Sequence, residues 1–433
     1  MPDYNSIKII TDNDYCISCG ACTHICPFDN IVLEYSLYRG KWDAIVQNTE
    51  KCITCDGLKN CLAVCPSYNV DYMSLASSHE NNLLGKIANV YNGYSADHTI
   101  RFNASSGGFI RALCKSLLEK NEIDGIITIT HDEELEYTPK IVTDVSSMPN
   151  SIYHNINYEN AFKLLQETRG KYLLIGLPCQ ITSIEQLLRK KRFAYLKERI
   201  YAKVALICGY TFDRTNAEAF AFCSGFTLQE ITYREKGRYR KTNLIHDKGS
   251  KLFDIKKPNG VFEYAHNLMM FDKFTAQNHC LYCVDHIGYC ADIVVGDAWQ
   301  KKYEADTIGT NLVISRTEQG EKIIAKVDGF VFEQGYKNEI IESQSEAYAL
   351  GSLGESMKTM RYKDKYFYPL HKRTDNTADI KTYPLRSIDI FKMAFLKKLL
   401  RNRKFLLAKY LYVLLHYKHL LKFVAKNIFG HLR

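Results

Sequence analysis

The 433-residue chain is 46% hydrophobic and 24% charged, which is typical of a globular protein with two or three domains. Its net charge of +9 is concentrated at one end, because residues 386–433 carry twelve Lys or Arg and one acid, leaving residues 1–385 at −2. A nearly neutral body has no basic field for nucleic acid, so no nucleic acid partner is expected. The opening residues MPDYNSIKII lack a charged and apolar leader, which predicts a cytoplasmic chain with reduced thiols.

Eight closely spaced cysteines define the first segment, residues 1–75. The run Cys16-x2-Cys19-x2-Cys22-x3-Cys26-Pro27 has the spacing of bacterial ferredoxins, and Cys52-x2-Cys55-x5-Cys61-x3-Cys65-Pro66 repeats it with a wider loop. Zinc sites also use Cys-x2-Cys pairs, but they rarely show this pattern twice. We therefore predict two [4Fe–4S] clusters. Crossed ligation assigns the first to Cys16, Cys19, Cys22 and Cys65, and the second to Cys52, Cys55, Cys61 and Cys26.

Beyond a polar stretch at 74–82, read as a linker, helical and strand patterns alternate. Apolar residues at helical spacing predict a helix after Gly108: Ile110, Leu113, Cys114, Leu117 and Leu118. Buried strands are predicted from Ile123, Lys171 and Arg199, with a helix after Cys179. This alternation predicts an α/β domain with a mostly parallel sheet, followed after Phe212 by twisted strands with a turn near Gly249.

Ser105, Ser106, Gly107 and Gly108 directly precede the predicted helix. Free N–H groups and the helix dipole attract an anion at such a place. The alternative is a Ser cap followed by Gly for close packing. Arg234 and Lys236 are likewise candidates to hold a phosphate, or they are solvated strand charges.

Four further cysteines are candidate metal ligands: Cys179, Cys280, Cys283 and Cys290. Cys179 follows a predicted strand and precedes a helix, whose N-terminus would stabilise its thiolate. Together the four could hold a third [4Fe–4S] cluster, with Cys208 in place of one of them. The alternative is that such cysteines are small buried hydrophobes, the interpretation we favour for Cys114 and Cys223.

The C-terminal segment 386–433 mixes leucines and aromatic residues with lysines at helical spacing. Its longest nearly uncharged run, FLLAKYLYVLLH, is too short to span a bilayer, which takes roughly twenty residues. It predicts an amphipathic helix on an anionic membrane surface, with peripheral placement at the inner face of the membrane. The alternative is a helix pair that packs on the body or on a partner.

Several motifs in this order resemble the family of coenzyme F420 hydrogenase/dehydrogenase β-subunits: NGYSADHTIRFNASSGGFIRALCKSLLE (92–119), IDGIITI (123–129), GLPCQI (176–181), ICG (207–209), YREK (233–236), and CLYC with ADIVVGDAW (280–299). The resemblance covers roughly residues 85–350, with the ferredoxin-like module fused in front. It implies an iron–sulfur flavoprotein with an N-terminal-like region at 85–211 and a C-terminal-like region at 212–350. It places FAD near Ser105 to Gly108, Arg234, Lys236 and Asp297, and it matches Asp292 and Trp299 to the family's cofactor-site motif.

The expected fold is thus of the α+β and α/β classes: a bacterial-ferredoxin-like module, an α/β flavin-binding domain and a C-terminal amphipathic helical tail. The leading hypothesis is an oxidoreductase that passes electrons between a ferredoxin-type donor or other redox protein and a small-molecule substrate through FAD. Two options for the substrate stay open. It is coenzyme F420, or the protein catalyses a reductive step in polysaccharide or secondary biosynthesis. The alternative is a non-catalytic electron-transfer subunit of a redox complex.

Overall fold

The computed structural model describes most of the chain in several stretches: residues 6–55, 60–76, 84–132, 136–224, 233–234, 236, 244–247, 251–254, 275–344 and 387–415. Residues 77–82 of the predicted linker at 74–82 and most of the widened cysteine loop lie outside these residues, whereas residues 74–76 are described. So does the end of the basic segment, residues 416–433.

The N-terminal module consists of short helices around one hairpin: α1 (Lys8–Asp12), α2 (Ala21–Ile25), β1 (Ile31–Ser36), β2 (Lys41–Val46), α3 (Thr49–Thr54), α4 (Asn60–Ala63) and α5 (Tyr72–Leu75). Strands β1 and β2 are antiparallel, with Ile31 opposite Val46. The Asn48 side chain caps α3 by accepting hydrogen bonds from the N–H groups of Glu50 and Lys51. Of the eight candidate cluster cysteines, Cys22, Cys52 and Cys61 lie on these short helices and the others on the loops between or after them.

The following region alternates strands and helices in this order: β3 (Asn89–Ser95), α6 (His98–Asn103), α7 (Phe109–Glu119), β4 (Gly125–His131), β5 (Tyr137–Val142), α8 (Asn160–Glu167), β6 (Tyr172–Gly176), α9 (Pro178–Leu188), β7 (Ile200–Leu206), α10 (Arg214–Ser224), β8 (Leu244–Asp247), β9 (Lys251–Asp254), α11 (Asn278–Tyr282), β10 (Ile293–Asp297), β11 (Asn311–Ser315), α12 (Glu318–Ile324), β12 (Phe330–Gln334) and α13 (Lys337–Ser343). Short 3-10 helices span Val145–Ser147, Lys191–Arg199 and Lys301–Tyr303. The predicted helix after Gly108 and the three predicted strands are confirmed as α7, β4, β6 and β7. Strands predicted after Phe212 are found as the antiparallel pair β8 and β9, whereas the turn predicted near Gly249 lies outside the described residues.

Eight strands form one mixed sheet in the order β12-β3-β11-β10-β7-β6-β4-β5. The centre is parallel, since β10, β7, β6 and β4 pair in the same direction. The remaining four of the seven pairings are antiparallel, so the expectation of a mostly parallel sheet holds for the centre and is wrong for both edges. The carboxyl ends of the parallel strands lead into Cys179, Cys208 and Asp297, where a ligand site is expected.

The N-terminal module does not have a separate core. Its apolar side chains Ile17, Ala21 and Ile25 belong to the same buried cluster as Ile181 and Ile184 of α9. Burial of apolar surface across this boundary stabilises one fixed arrangement of the module and the α/β domain. The module and the α/β domain therefore share part of their core.

The described part of the basic segment forms two helices, α14 (Ser387–Arg401) and α15 (Phe405–Leu415). They pack on α10 through one apolar cluster: Ala219, Leu396, Leu399, Leu400, Phe405, Ala408 and Tyr412. This agrees with the alternative interpretation of the segment, a helix pair docked on the body. No helix in the described part of the chain has the length and apolar character needed to cross a membrane.

Candidate redox sites

The first group of cysteines is buried at the centre of the N-terminal module. Cys16, Cys19, Cys22 and Cys65 are each less than a tenth exposed. Burial raises the pKa of Cys22, and so do its neighbours, which include Cys19, Cys16 and Cys65. Four thiols that are buried together and disfavoured as isolated anions fit a site in which a cationic cluster compensates the thiolate charge.

The second group lies nearer the surface. Burial raises the pKa of Cys61 to about 11, and its neighbours Cys52 and Cys26 contribute to that shift. Asn30 joins two of these cysteines, because its backbone N–H lies 3.4 Å from Cys26 Sγ and its side-chain amide 3.5 Å from Cys52 Sγ. Cys52, Cys55 and Cys61 are only partly buried. The structure therefore brings together the two sets given by crossed ligation, one buried and one close to solvent.

The loop between Cys16 and Cys26 contacts the α/β domain directly. Gly20 has a φ of 81°, and a Cβ placed on it would lie 2.5 Å from the Cα of Glu159. The Ser18 carbonyl accepts a hydrogen bond from the Tyr158 N–H at 3.0 Å, and the Ser18 hydroxyl lies 2.8 Å from Asn155 Oδ1. These contacts fix the first cysteine group against the domain behind it.

A third group of cysteines borders one cavity of about 510 Å³, a volume that includes the part open to solvent. Cys179, Cys208, Cys280 and Cys283 line it, together with apolar side chains such as Ile17 and Leu177. Cys179 begins α9 after β6, Cys208 follows β7, and the other two lie on and just after α11. Of the predicted ligands, Cys290 is buried but does not line this cavity, whereas Cys208 does.

The cavity is polar on one side. Burial raises the pKa of Asp285 to about 6, although its carboxylate accepts a hydrogen bond from the Tyr289 N–H at 3.1 Å. The Nδ1 atom of His286 lies 3.0 Å from the Cys208 carbonyl oxygen, and the Thr211 N–H donates to Cys280 Sγ at 3.4 Å. Among the described residues, no three His, Cys, Asp or Glu side chains converge on a point suited to a single metal ion. Four cysteines line the cavity instead, the number of thiolates that a [4Fe–4S] cluster requires.

The first cysteine group and this cavity are neighbours. Ile17 lines the cavity and separates Cys16 from Ser18 in the sequence. Cys19 also adds to the pKa shift of Cys179, whose main cause is burial. Ser67, two residues after Cys65, has its hydroxyl 2.9 Å from Nδ1 of His279, which lies beside Cys280. Two groups of potential cluster ligands therefore meet across the boundary between the module and the α/β domain.

The Ser105 to Gly108 segment is shaped by backbone packing. A Cβ on Gly107 would lie 2.6 Å from the Asn311 nitrogen and the Gly93 carbonyl oxygen, and Gly108 has a φ of 88°. Asn311 Oδ1 accepts a hydrogen bond from the Phe109 N–H at 2.9 Å at the start of α7. Backbone packing at Gly107 and the positive φ at Gly108 therefore each require glycine, which supports the packing alternative for these two residues.

Three of the other predicted flavin residues converge beside this segment. Arg234 forms a two-pronged ion pair with Asp297, at 2.7 and 3.2 Å, and both side chains are largely buried. Lys236 Nζ donates to the carbonyl oxygens of Ser106 and Arg101, the latter at 2.5 Å. Burial, with the neighbouring Arg234 guanidinium, lowers the pKa of Lys236 to about 7. The buried Arg234, paired with Asp297, and the partly buried Lys236 thus place two cations at the end of β10, where an anionic ligand could bind.

Sequence reasoning missed Arg101 as part of this site. Its guanidinium stacks 3.7 Å from the ring centroid of Tyr94 and pairs with Asp306. Its position inside the motif at 92–119 was the available signal. Asp292 is instead structural, because it accepts from the Lys203 N–H at 2.8 Å and from the Thr317 hydroxyl at 2.9 Å. Trp299 is 44% exposed at the rim of the site.

Comparison with known proteins agrees with these features. Residues 8–66 match the family model of the 4Fe-4S dicluster domain. The fold and the cysteine groups thus define an iron–sulfur electron-transfer protein. Residues 90–151 and 169–334 match the N-terminal and C-terminal models of the coenzyme F420 hydrogenase/dehydrogenase beta subunit. The chain belongs to this family, which confirms the resemblance found in its sequence.

Two of its relatives are a redox enzyme and a subunit of one. The chain is 25% identical over 328 residues to a subunit of the F(420)H(2) dehydrogenase of Methanosarcina mazei, covering 73% of this chain and 83% of the relative. It is 25% identical over 319 residues to the coenzyme F420-dependent sulfite reductase of Methanocaldococcus jannaschii, covering 72% of this chain but only 46% of that protein. A structure of the F420-reducing [NiFe] hydrogenase complex from Methanosarcina barkeri contains a chain with a similar fold, at a TM-score of 0.51 and 18% identity, covering 66% of this chain and 95% of that chain.

Proposed function

We propose that this protein is an iron–sulfur flavoenzyme that passes electrons between a ferredoxin-type donor and a small-molecule substrate. The observation that carries the proposal is the order in which three sites follow one another from the surface inward. The partly exposed Cys52 group comes first, then the buried Cys16 group, and then the cavity lined by Cys179. Electrons would enter at the exposed group, since a redox partner comes nearest to it. Exposed apolar side chains at Ile53 and Phe28 are available beside it for docking.

The third cluster in this proposal is held by Cys179, Cys208, Cys280 and Cys283. The four thiols fit it because they line one cavity at the carboxyl edge of the sheet. Asp285 and His286 would lie beside it and set its polarity. In this proposal Cys208 takes the place of Cys290, which the sequence pattern suggested as a ligand.

FAD is proposed for the cationic site at Ser106, Lys236 and Arg234. When bound, FAD would transfer single electrons to or from the clusters and electron pairs to or from an organic substrate. Lys236 and Arg101 would face its phosphates, while the Asp297 pair holds Arg234 in position. Coenzyme F420 is the substrate suggested by the names of the relatives, and a reductase of polysaccharide or secondary biosynthesis remains the other proposal.

Metal and flavin content of anaerobically purified protein tests this function. Three cubane clusters require about twelve irons and two require about eight. We expect the Cys208→Ala variant to lose about four irons and the Cys290→Ala variant, also a buried cysteine, to retain all of them. Bound FAD that is reduced by ferredoxin and reoxidised by F420 supports an enzyme. Clusters without flavin contradict it and favour the alternative, an electron-transfer subunit of a larger redox complex.

We further propose a peripheral contact with the cytoplasmic face of a membrane through α14 and α15. Their outer surface leaves large apolar side chains exposed, among them Phe391, Leu407 and Leu414, and residues 390–433 contain no acid. Co-sedimentation with anionic and with neutral lipid vesicles tests this contact. Leu414 is 72% exposed and Leu37 is 74% exposed, so Leu414→Asp should abolish binding to anionic vesicles and Leu37→Asp should not. Equal binding by both variants contradicts it.

A further inference from the structure

A buried network of charges lies where α14 meets the N-terminal module. Arg401 of α14 pairs with Asp213 at 2.6 Å and with Asp14 at 2.8 Å. Asp14 also pairs with Lys41 at 2.8 Å. Lys397, one helical turn before Arg401, is only 8% exposed. Residues far apart in the chain thus place several ionic groups in one region of low dielectric, where each charge acts strongly on its surroundings.

Two of these cations reach the segments that carry cysteines. Lys397 Nζ donates to Asn278 Oδ1 at 2.7 Å, two residues before Cys280. Lys41 Nζ, which is almost fully buried, donates to the carbonyl oxygen of Cys16 at 3.1 Å. Cys280 belongs to the cavity group and Cys16 to the buried group. The two cations therefore lie beside these two sites, Lys397 near the Cys280 segment and Lys41 against Cys16.

The network carries a surplus of positive charge. Its members are Arg39, Lys41, Lys397 and Arg401 against Asp14, Asp43 and Asp213. Burial lowers the pKa of Lys397 to about 8, while Asp213 and Asp14 oppose this shift and Arg401 and Lys41 add to it, so the ammonium group persists at pH 7. Reduction of a [4Fe–4S] cluster adds one electron, and a nearby positive charge stabilises that added negative charge.

We propose that Lys397 tunes electron transfer by raising the reduction potentials of the clusters bound by Cys280 and Cys16 relative to that of the outer cluster at Cys52. The proposal rests on the function proposed above, since the Cys280 cluster is part of it. It makes α14 an electrostatic component of the redox centre as well as a packing element. A higher potential at the inner clusters favours electron flow from the exposed group inward, each step moving one electron and breaking no bond.

The test is a potentiometric titration at pH 7 followed by electron paramagnetic resonance. We expect Lys397→Gln to make reduction of the inner clusters at least tenfold less favourable, which is about 59 mV for one electron. The outer cluster should shift much less. Lys398→Gln is the matched control, because it removes the same charge from the adjacent, exposed position, where solvent screens it. Lys397→Arg keeps the charge and should retain the wild-type potentials.

Equal potentials in Lys397→Gln and wild type, or equal shifts in Lys397→Gln and Lys398→Gln, would overturn the proposal. If Lys397→Gln loses iron, the potentials are measured in Asn278→Asp instead. This variant adds a negative charge beside the same ammonium group, so it should lower the reduction potentials of the same inner clusters. Iron content of the wild type separates this inference from the function on which it rests. About eight irons contradict the third cluster, and the tuning is then judged at the Cys16 cluster. About twelve irons with unshifted potentials contradict the tuning alone.

Discussion

The contact between Gly20 and Glu159 gives the sharpest stability prediction. A side chain at Gly20 must adopt a φ of 81°, which costs an L-residue about 1–2 kcal/mol. Its Cβ would also lie 2.5 Å from the Cα of Glu159, a backbone atom that no rotamer change can move. Overpacking of this kind costs about 1–3 kcal/mol. We therefore expect Gly20→Ala to lower the free energy of unfolding by about 2–5 kcal/mol.

Gly329→Ala is the matched control, because Gly329 has a φ of 63° with no atom within 4 Å of its added Cβ. It carries only the backbone cost of about 1–2 kcal/mol. Urea denaturation of the cluster-loaded proteins under anaerobic conditions measures both. Equal losses of stability in the two variants would refute the view that the cysteine loop is pressed against the α/β domain. A larger loss in Gly20→Ala, with slower reduction of the flavin by ferredoxin, supports it.

Two further predictions concern the cationic site. Arg234→Met breaks the buried ion pair with Asp297, so the free energy of unfolding should fall by about 3–5 kcal/mol. The same change at the exposed Lys322 should have no measurable effect by urea denaturation. A stability equal to wild type would count against the pairing. Because the pKa of Lys236 in the free protein is about 7, and an anion favours its charged form, FAD affinity should fall as pH rises above 7. Titrations of the protein with FAD at pH 6 and pH 8 measure this fall, which Lys236→Met should not show. A wild-type FAD affinity that does not depend on pH contradicts the role of Lys236 in binding the anion.

The sequence was most informative where the chemistry depends on local spacing. Cys16, Cys19 and Cys22 are separated by two residues each, and this alone indicated a cluster. The strand ends at Cys179 and Cys208 could also be predicted, because alternating patterns position strands and strand ends position ligands.

The choice between Cys208 and Cys290 could not be made in that way. Both are cysteines near strand ends, and only the three-dimensional path of the chain puts one of them at the cavity. The burial of Lys397 in the basic segment could not be predicted for the same reason, because it depends on the three-dimensional path of the chain. Lysines at helical spacing usually indicate a solvated face, yet Lys397 is buried because Asp14 and Asp213 compensate its charge from distant parts of the chain. Such compensation has no signature in local sequence.

The docking of the N-terminal module has a consequence for how it works. A ferredoxin-like domain on a flexible linker would carry electrons by moving between partners. Here Gly20 fits against Glu159, and the Ser18 carbonyl accepts from Tyr158, so the loop that holds Cys19 and Cys22 is fixed to the domain it serves. A fixed arrangement removes the entropic cost of finding the acceptor at each turnover. Under the proposed function, fusion in one chain would build the first two steps of electron entry into the fold and leave the partly exposed Cys52 group to meet an external partner.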